Sequence, residues 1–171
     1  DHQLLASYDI ANLTGFNVIK SAGTTSYTAI TYRSDQQMFG VPSTTDETKR
    51  QIFSVDDNTG AQQFAKNVIP AMEISDITGL FDGAPVAVNS EMFAVDGVTT
   101  RIYRFEPATG QNAVLTAGAP WPLGAVAYDG ENQRVYYTRR SGFDVGVYNI
   151  ASKTHGIAGS LNAATLTYAA A

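Results

Sequence analysis

The chain has 171 residues, a formal net charge of −5 and 44% hydrophobic residues. That composition excludes a disordered tail and a collagen-like rod. The 11 Lys and Arg are scattered, and the sequence pI of about 4.8 argues against nucleic acid as a partner. No apolar run approaches the roughly 18 residues of a membrane-spanning helix.

There are no cysteines, which excludes a disulfide framework, a thiolate zinc site and a cysteine nucleophile. Lysine is scarce, four against seven arginines, and Thr, Ala, Asn and Gly are abundant. This balance points to export: a secreted, cell-surface or periplasmic protein. The start at Asp1 reads as a mature form or an excised piece.

Four copies of one short pattern run along the chain. Tyr8, Phe53, Tyr103 and Tyr148 each precede an apolar residue by two and a threonine by six. The threonines are Thr14, Thr59, Thr109 and Thr154, and Gly15, Gly60 and Gly110 follow the first three. Residues two apart share one face of a strand. The Asn, Asp, Pro and Ser between them, ending in Thr-Gly, are turn residues, with glycine taking the positive φ. Each copy therefore reads as a β-hairpin. In the fourth, His155 stands where the others have glycine and is expected to take the left-handed turn position.

A second hairpin precedes each of the last three copies. The clearest is Ala125–Tyr128, then Asp129-Gly130, then Arg134–Thr138, because Asp-Gly between alternating apolar runs is a strong hairpin signal. Its counterparts are Ala29–Tyr32 with Met38–Val41, and Val86–Val88 with Met92–Val95. Four antiparallel strands over 40 to 50 residues are the blade of a β-propeller. The expected class is all-β, with blade pieces at 1–23, 28–68, 84–118, 124–159 and 164–171 of a single domain. One blade is split between the termini: Leu4–Ile10 supplies a third strand and Ala164–Tyr168 a first. These ends pair with each other, with a missing segment or with another chain, because a bare sheet edge invites pairing.

The segment Gly124–Thr138 and the recurring Thr-Gly hairpin resemble the exported bacterial β-propeller repeat proteins of NHL and Kelch-like type. The Trp-Asp dipeptide of WD repeats and the double glycine of Kelch blades are absent. The resemblance implies a propeller; that fold hosts binding modules, scaffolds and enzymes alike.

In a propeller, the loops leading to each first strand and those joining second to third strands gather on one face. The segment Ile69–Gly83 is the longest insertion into those loops, and any helix is expected there. Glu73 and Asp76 within it, with Asn162, offer carboxylate and amide oxygens to a binding partner or to calcium, although their spacing is no cation motif. Trp121, between Pro120 and Pro122, could stack on a sugar or plug the core between blades. Arg139 and Arg140 end a second strand and could meet a carboxylate or sulfate. No catalytic residue is singled out, since His2 and His155 lie away from that face and a Ser/His/Asp triad needs a histidine on it. Asn12-Leu13-Thr14 fits a glycosylation pattern, yet the turn signature explains it fully.

The reading is a non-catalytic module for binding, adhesion or scaffolding of protein or glycan. One alternative is a metal-dependent propeller enzyme of lactonase or glycan-lyase type. The other is a self-assembling subunit joined through its terminal strands. Val126, Tyr128, Tyr136, Tyr148 and Ile150 are expected to be buried between blades.

Overall fold

A computed structural model describes residues 5–8, 16–20, 27–33, 36–42, 51–69, 74–79, 92–96, 98–106 and 109–161. The described residues contain strands and turns and no helix. The first sheet is a hairpin of β1 (Leu5–Tyr8) and β2 (Phe16–Lys20). Three four-stranded antiparallel sheets follow, each in simple sequence order. The second blade holds β3 (Tyr27–Tyr32), β4 (Met38–Pro42), β5 (Gln51–Val55) and β6 (Gln62–Asn67). The third holds β7 (Ile74–Gly79), β8 (Met92–Asp96), β9 (Ile102–Glu106) and β10 (Gln111–Thr116). The fourth holds β11 (Leu123–Asp129), β12 (Arg134–Arg139), β13 (Asp144–Asn149) and β14 (Thr154–Ser160). The pairing of Leu4–Ile10 with Ala164–Tyr168 lies outside the described residues.

The turns form for the expected reason. Asp56 Oδ1 accepts the N–H groups of Asn58 and Thr59 at 2.9 and 2.8 Å, an Asx turn. Gly60 and Gly110 then take positive φ of 67° and 76° and donate to the carbonyls of Asp56 and Glu106. The fourth blade departs from this. Asn149 pairs with Thr154, so the left-handed residue is Lys153, at φ 56°. His155 is no turn residue; it lies inside β14, opposite Tyr148.

The third blade also corrects the sequence reading. Its first strand is Ile74–Gly79, where a helical insertion was expected; Val86–Val88 lies outside the described residues. The extra length therefore falls between β7 and β8. Strand β7 escaped notice because Ser75, Asp76 and Thr78 break its apolar alternation, and all three are used against the next blade.

Blades stack face to face through two cores. Ala29, Phe39, Val41 and Ile52 of the second blade meet Ile74, Ile77, Met92, Ala94, Tyr103 and Phe105 of the third. The other face of the third, Phe93, Val95 and Ile102, meets Leu123, Val126, Val135, Tyr137 and Tyr148 of the fourth. Val126 and Tyr148 are buried as expected, while Tyr128 and Ile150 are half-buried against this core. Tyr136 is not part of it. Register places Tyr137 opposite Gly146 and Tyr136 opposite Val147, so the buried aromatic is Tyr137, 1% exposed, and Tyr136 faces the other way.

The innermost strands are latched sideways. Gly79 N–H donates to Thr31 Oγ1 at 3.2 Å, Val126 N–H to Asp76 Oδ2 at 2.8 Å and Tyr128 N–H to Thr78 Oγ1 at 3.3 Å. These bonds satisfy edge N–H groups that a first strand would otherwise leave bare.

Candidate functional site

Each first strand begins with a register shift: between Tyr27 and Ala29, Ile74 and Asp76, and Leu123 and Val126. Such bulges re-aim side chains at sheet ends. At β7 the bulge lets adjacent residues both reach the fourth blade. Ser75 Oγ donates to Gly124 O at 2.9 Å, while Asp76 reaches Val126. Gly124 must be small here, since a Cβ would stand 2.9 Å from Thr138 Oγ1 and 3.2 Å from Arg140 Cα.

This end of the fourth blade gathers several of the singled-out residues. Arg140 N–H donates to Pro122 O at 2.9 Å, which joins the Pro120–Pro122 loop to the end of β12. Arg139 Nη1 lies 3.2 Å from Asp144 Oδ2, and Ser160 Oγ donates to Asp144 Oδ1 at 2.8 Å. Those two contacts, the Ser160 bond first, hold the Asp144 carboxyl below its ordinary range. Phe143, at the tip of the β12–β13 turn, is 47% exposed. The result is an open surface of two guanidiniums, a carboxylate, a hydroxyl and an aromatic ring. Such a surface suits a polar partner carrying carboxylate or hydroxyl groups.

The other candidates separate from it. Trp121 packs half-buried on the second core, 6.3 Å from the Tyr137 ring, so it plugs the seam between blades. Its buried Nε1 has no hydrogen-bond partner among the described residues. Asp76 is occupied at both oxygens, by Ile77 N–H at 2.9 Å and Val126 N–H. Burial pushes its carboxyl pKa up, and those two bonds oppose the shift. Glu73 and Asn162 lie outside the described residues. No group of three His, Asp or Glu side chains able to hold a metal occurs among the described residues.

Sequence reasoning missed a cluster at the seam between the third and fourth blades. His155 Nδ1 lies 2.8 Å from Tyr137 Oη, and its Nε2 lies 2.9 Å from Thr116 Oγ1 of the third blade. The Tyr148 ring packs over the imidazole at 4.8 Å. At the preceding seam the equivalent latch is made by backbone. Ile69 N–H donates to Gly110 O at 2.8 Å, and Asn112 N–H to Ile69 O at 2.9 Å. His155 of the fourth blade does with a side chain what Asn112 of the third does with a peptide group.

A pH effect follows from that placement. Burial lowers the imidazole pKa of His155 and pushes the Tyr137 phenol up to about 12. In the unfolded chain a histidine titrates near ~6.5. Below that value the unfolded state binds a proton that the folded state resists, so stability falls as pH falls. Above it, both states are neutral and the full contribution is present. Melting curves at about pH 7.5 and about pH 5.5 test this. The wild type is expected to lose more melting temperature on acidification than His155→Gln. Equal losses would show that the ring does not titrate between the two states.

No protein-family model matches the sequence, and no curated protein is significantly similar to it. Solved structures do resemble it. One is in the crystal structure of a nidogen/laminin complex: 12% identity, 86% of this chain, 53% of that chain and a TM-score of 0.59. Another is the Kuenenia stuttgartiensis hydrazine synthase: 11% identity, 77% of this chain, 34% of that one and a TM-score of 0.52. A third is the virginiamycin B lyase of Staphylococcus aureus: 16% identity, 76% of this chain, 40% of that one and a TM-score of 0.50. The chain thus spans about half the length, or less, of the structures it resembles. At these identities the likeness is one of fold. With the sheet order above, it makes the chain an all-β, propeller-like protein.

Proposed function

We propose that the chain is a non-catalytic binding module of an exported protein, serving adhesion or scaffolding. One observation carries this: Asp76, the one singled-out acidic residue among the described residues, spends both oxygens on backbone N–H groups. It holds two blades together and has no free oxygen pointed at a substrate. Arg139 and Arg140 are exposed at the end of β12, Arg139 paired with Asp144, and Phe143 is exposed in the same turn. A protein partner is favoured by the likeness to a structure from a nidogen/laminin complex. A glycan with carboxylate or sulfate groups is the other partner that two arginines suit.

The test is binding of the purified chain to immobilised extracellular proteins and acidic glycans. Arg139→Ala with Arg140→Ala is expected to weaken binding by ~10-fold or more, the loss of an interface hot spot. The melting temperature should barely change, since exposed substitutions fall within about 0.5 kcal/mol. Binding that survives the double substitution would move the site elsewhere. An enzyme of lactonase or lyase type would instead turn over its substrate and lose that turnover in EDTA.

A further inference from the structure

Two inter-blade bonds align the blades place by place. Thr31 takes the N–H of Gly79 and Thr78 that of Tyr128, so Thr31, Thr78 and Ala127 share one place and Ala29, Asp76 and Ala125 another. Beside these, Phe39, Val41 and Ile52 of the second blade are 4%, 6% and 1% exposed under the third. Phe93, Val95 and Ile102 hold the same places in the third and are fully buried under the fourth. In the fourth blade, register gives these places to Tyr136, Thr138 and Val145. All three are partly exposed there, and Ala125 and Ala127 are exposed. Together with Leu161 they line a trough of about 270 Å³, which nothing covers among the described residues.

At both covered seams the neighbour's first strand lies over these places. It reads Asp76-Ile77-Thr78-Gly79 in the third blade and Ala125-Val126-Ala127-Tyr128 in the fourth. Ile77 and Val126, 3% and 8% exposed, pack against the blade before. Residues 165–168, outside the described residues, repeat the pattern as Thr165-Leu166-Thr167-Tyr168, with the apolar residue second and tyrosine fourth, as in Tyr32 and Tyr128. The chain is also turned the right way. Leu161 N–H donates to Phe143 O, which extends the pairing of β14, and Leu161 itself lines the trough. The crossing to the next first strand runs from Lys66 to Asp76 at one covered seam, from Thr116 to Ala125 at the other, and from Gly159 to Thr165 here. The last is the shortest, yet its six residues suffice. Three strand spacings and one sheet spacing make a gap of ~17 Å. Six extended residues reach ~20 Å.

We propose that residues 165–168 of the same chain lie over this trough as a first strand, with Leu166 at the place of Ile77 and Val126. Tyr168 N–H then comes to the place where Gly79 and Tyr128 find a threonine hydroxyl. Ala127 offers no such acceptor, so this seam lacks the sideways latch of the other two and rests on apolar contact. The proposal commits the face to the chain's own strand and stands independently of binding at Arg139 and Arg140.

The experiment is a cysteine cross-link in the full chain, which has no cysteine of its own. Ala125→Cys with Leu166→Cys is expected to form a disulfide within one chain on mild oxidation, read by a non-reducing gel and by intact mass. Ala29→Cys with Ile77→Cys, the matched pair at the first covered seam, is the reference and should close alike. A pair at 125 and 166 that stays reduced where the reference closes overturns the proposal. So does a disulfide that joins two chains, since the face would then take a strand from another copy. A second measurement needs no cross-link. Ala127→Thr supplies the missing acceptor and is expected to raise the melting temperature by about 2–4 °C. That gain should vanish in a chain that also carries Leu166→Arg. An equal gain with and without Leu166→Arg would come from strand preference alone and would overturn the proposal too.

Discussion

Tyr148→Ala is expected to lower the unfolding free energy by about 3–5 kcal/mol, the range for removing an enclosed aromatic side chain. Tyr148 is 3% exposed and lies in the second core with Phe93, Val135 and Tyr137. Its ring also covers the imidazole of His155. Truncation thus opens a cavity and wets a hydrogen-bonded cluster that depends on being dry. Urea unfolding with an unchanged m-value would give the loss directly. A loss below about 1 kcal/mol would mean that the surrounding blades collapse into the space. A comparison with Ile150→Ala is informative. Ile150 is only half-buried on the same core, and its truncation should cost less.

That Tyr148 could be singled out from the sequence shows where pattern reading works. An aromatic two residues from an apolar partner, before a Thr-Gly turn, reads as a hairpin, and the second and third copies make that turn with Gly60 and Gly110. The fourth kept the pattern in its letters but not in its register. The β13–β14 hairpin turns earlier, so Thr154 opens a strand where Thr109 closes a turn. The left-handed residue comes five positions past Tyr148 but seven past Tyr103, and this two-residue difference carried His155 from the turn into β14 at the seam. Tyr136 and Tyr137 are the same problem within a strand: neighbouring aromatics, one core and one free face, which only cross-strand register separates. Strand β7 was illegible for another reason. Polar residues in a strand normally mark solvent, yet Ser75, Asp76 and Thr78 face the edge of a neighbouring sheet, a partner encoded some 50 residues away. Arg139 and Arg140 close β12 as their place in the sequence implied, while Trp121, singled out with them, packs on the second core. Phe143 and Asp144 were not legible, since their roles come from side-chain geometry at a tip that reads simply as a turn.

Gly110→Ala should be damaging in a way that its φ alone does not explain. A left-handed backbone costs an alanine roughly 1–2 kcal/mol. Lys153 shows that the price is tolerable in this very turn, with φ 56° against 76° at Gly110. What sets Gly110 apart is its neighbour. A Cβ there would stand 2.0 Å from the carbonyl oxygen of Asn67 and 3.0 Å from its carbon. Those atoms are backbone, held in place because the next residues, Val68 and Ile69, lead the chain across from the second blade. Ile69 N–H is bonded to Gly110 O itself, and Val68 is buried in the first core. Relieving the contact therefore means pulling this crossing away from β10 and opening the seam. Overpacking of this kind adds about 1–3 kcal/mol to the strain. The sum, roughly 2–5 kcal/mol, should appear as a lower midpoint in urea or heat. It should also appear as faster hydrogen exchange at the amides of Ile69 and Asn112, which bridge the two blades. Lys153→Gly supplies the control, at the same turn position with a left-handed φ of 56°, and should change stability by less than about 1 kcal/mol. If Gly110→Ala proves equally mild, the crossing at Asn67 is free to move and the seam is held by its apolar core alone.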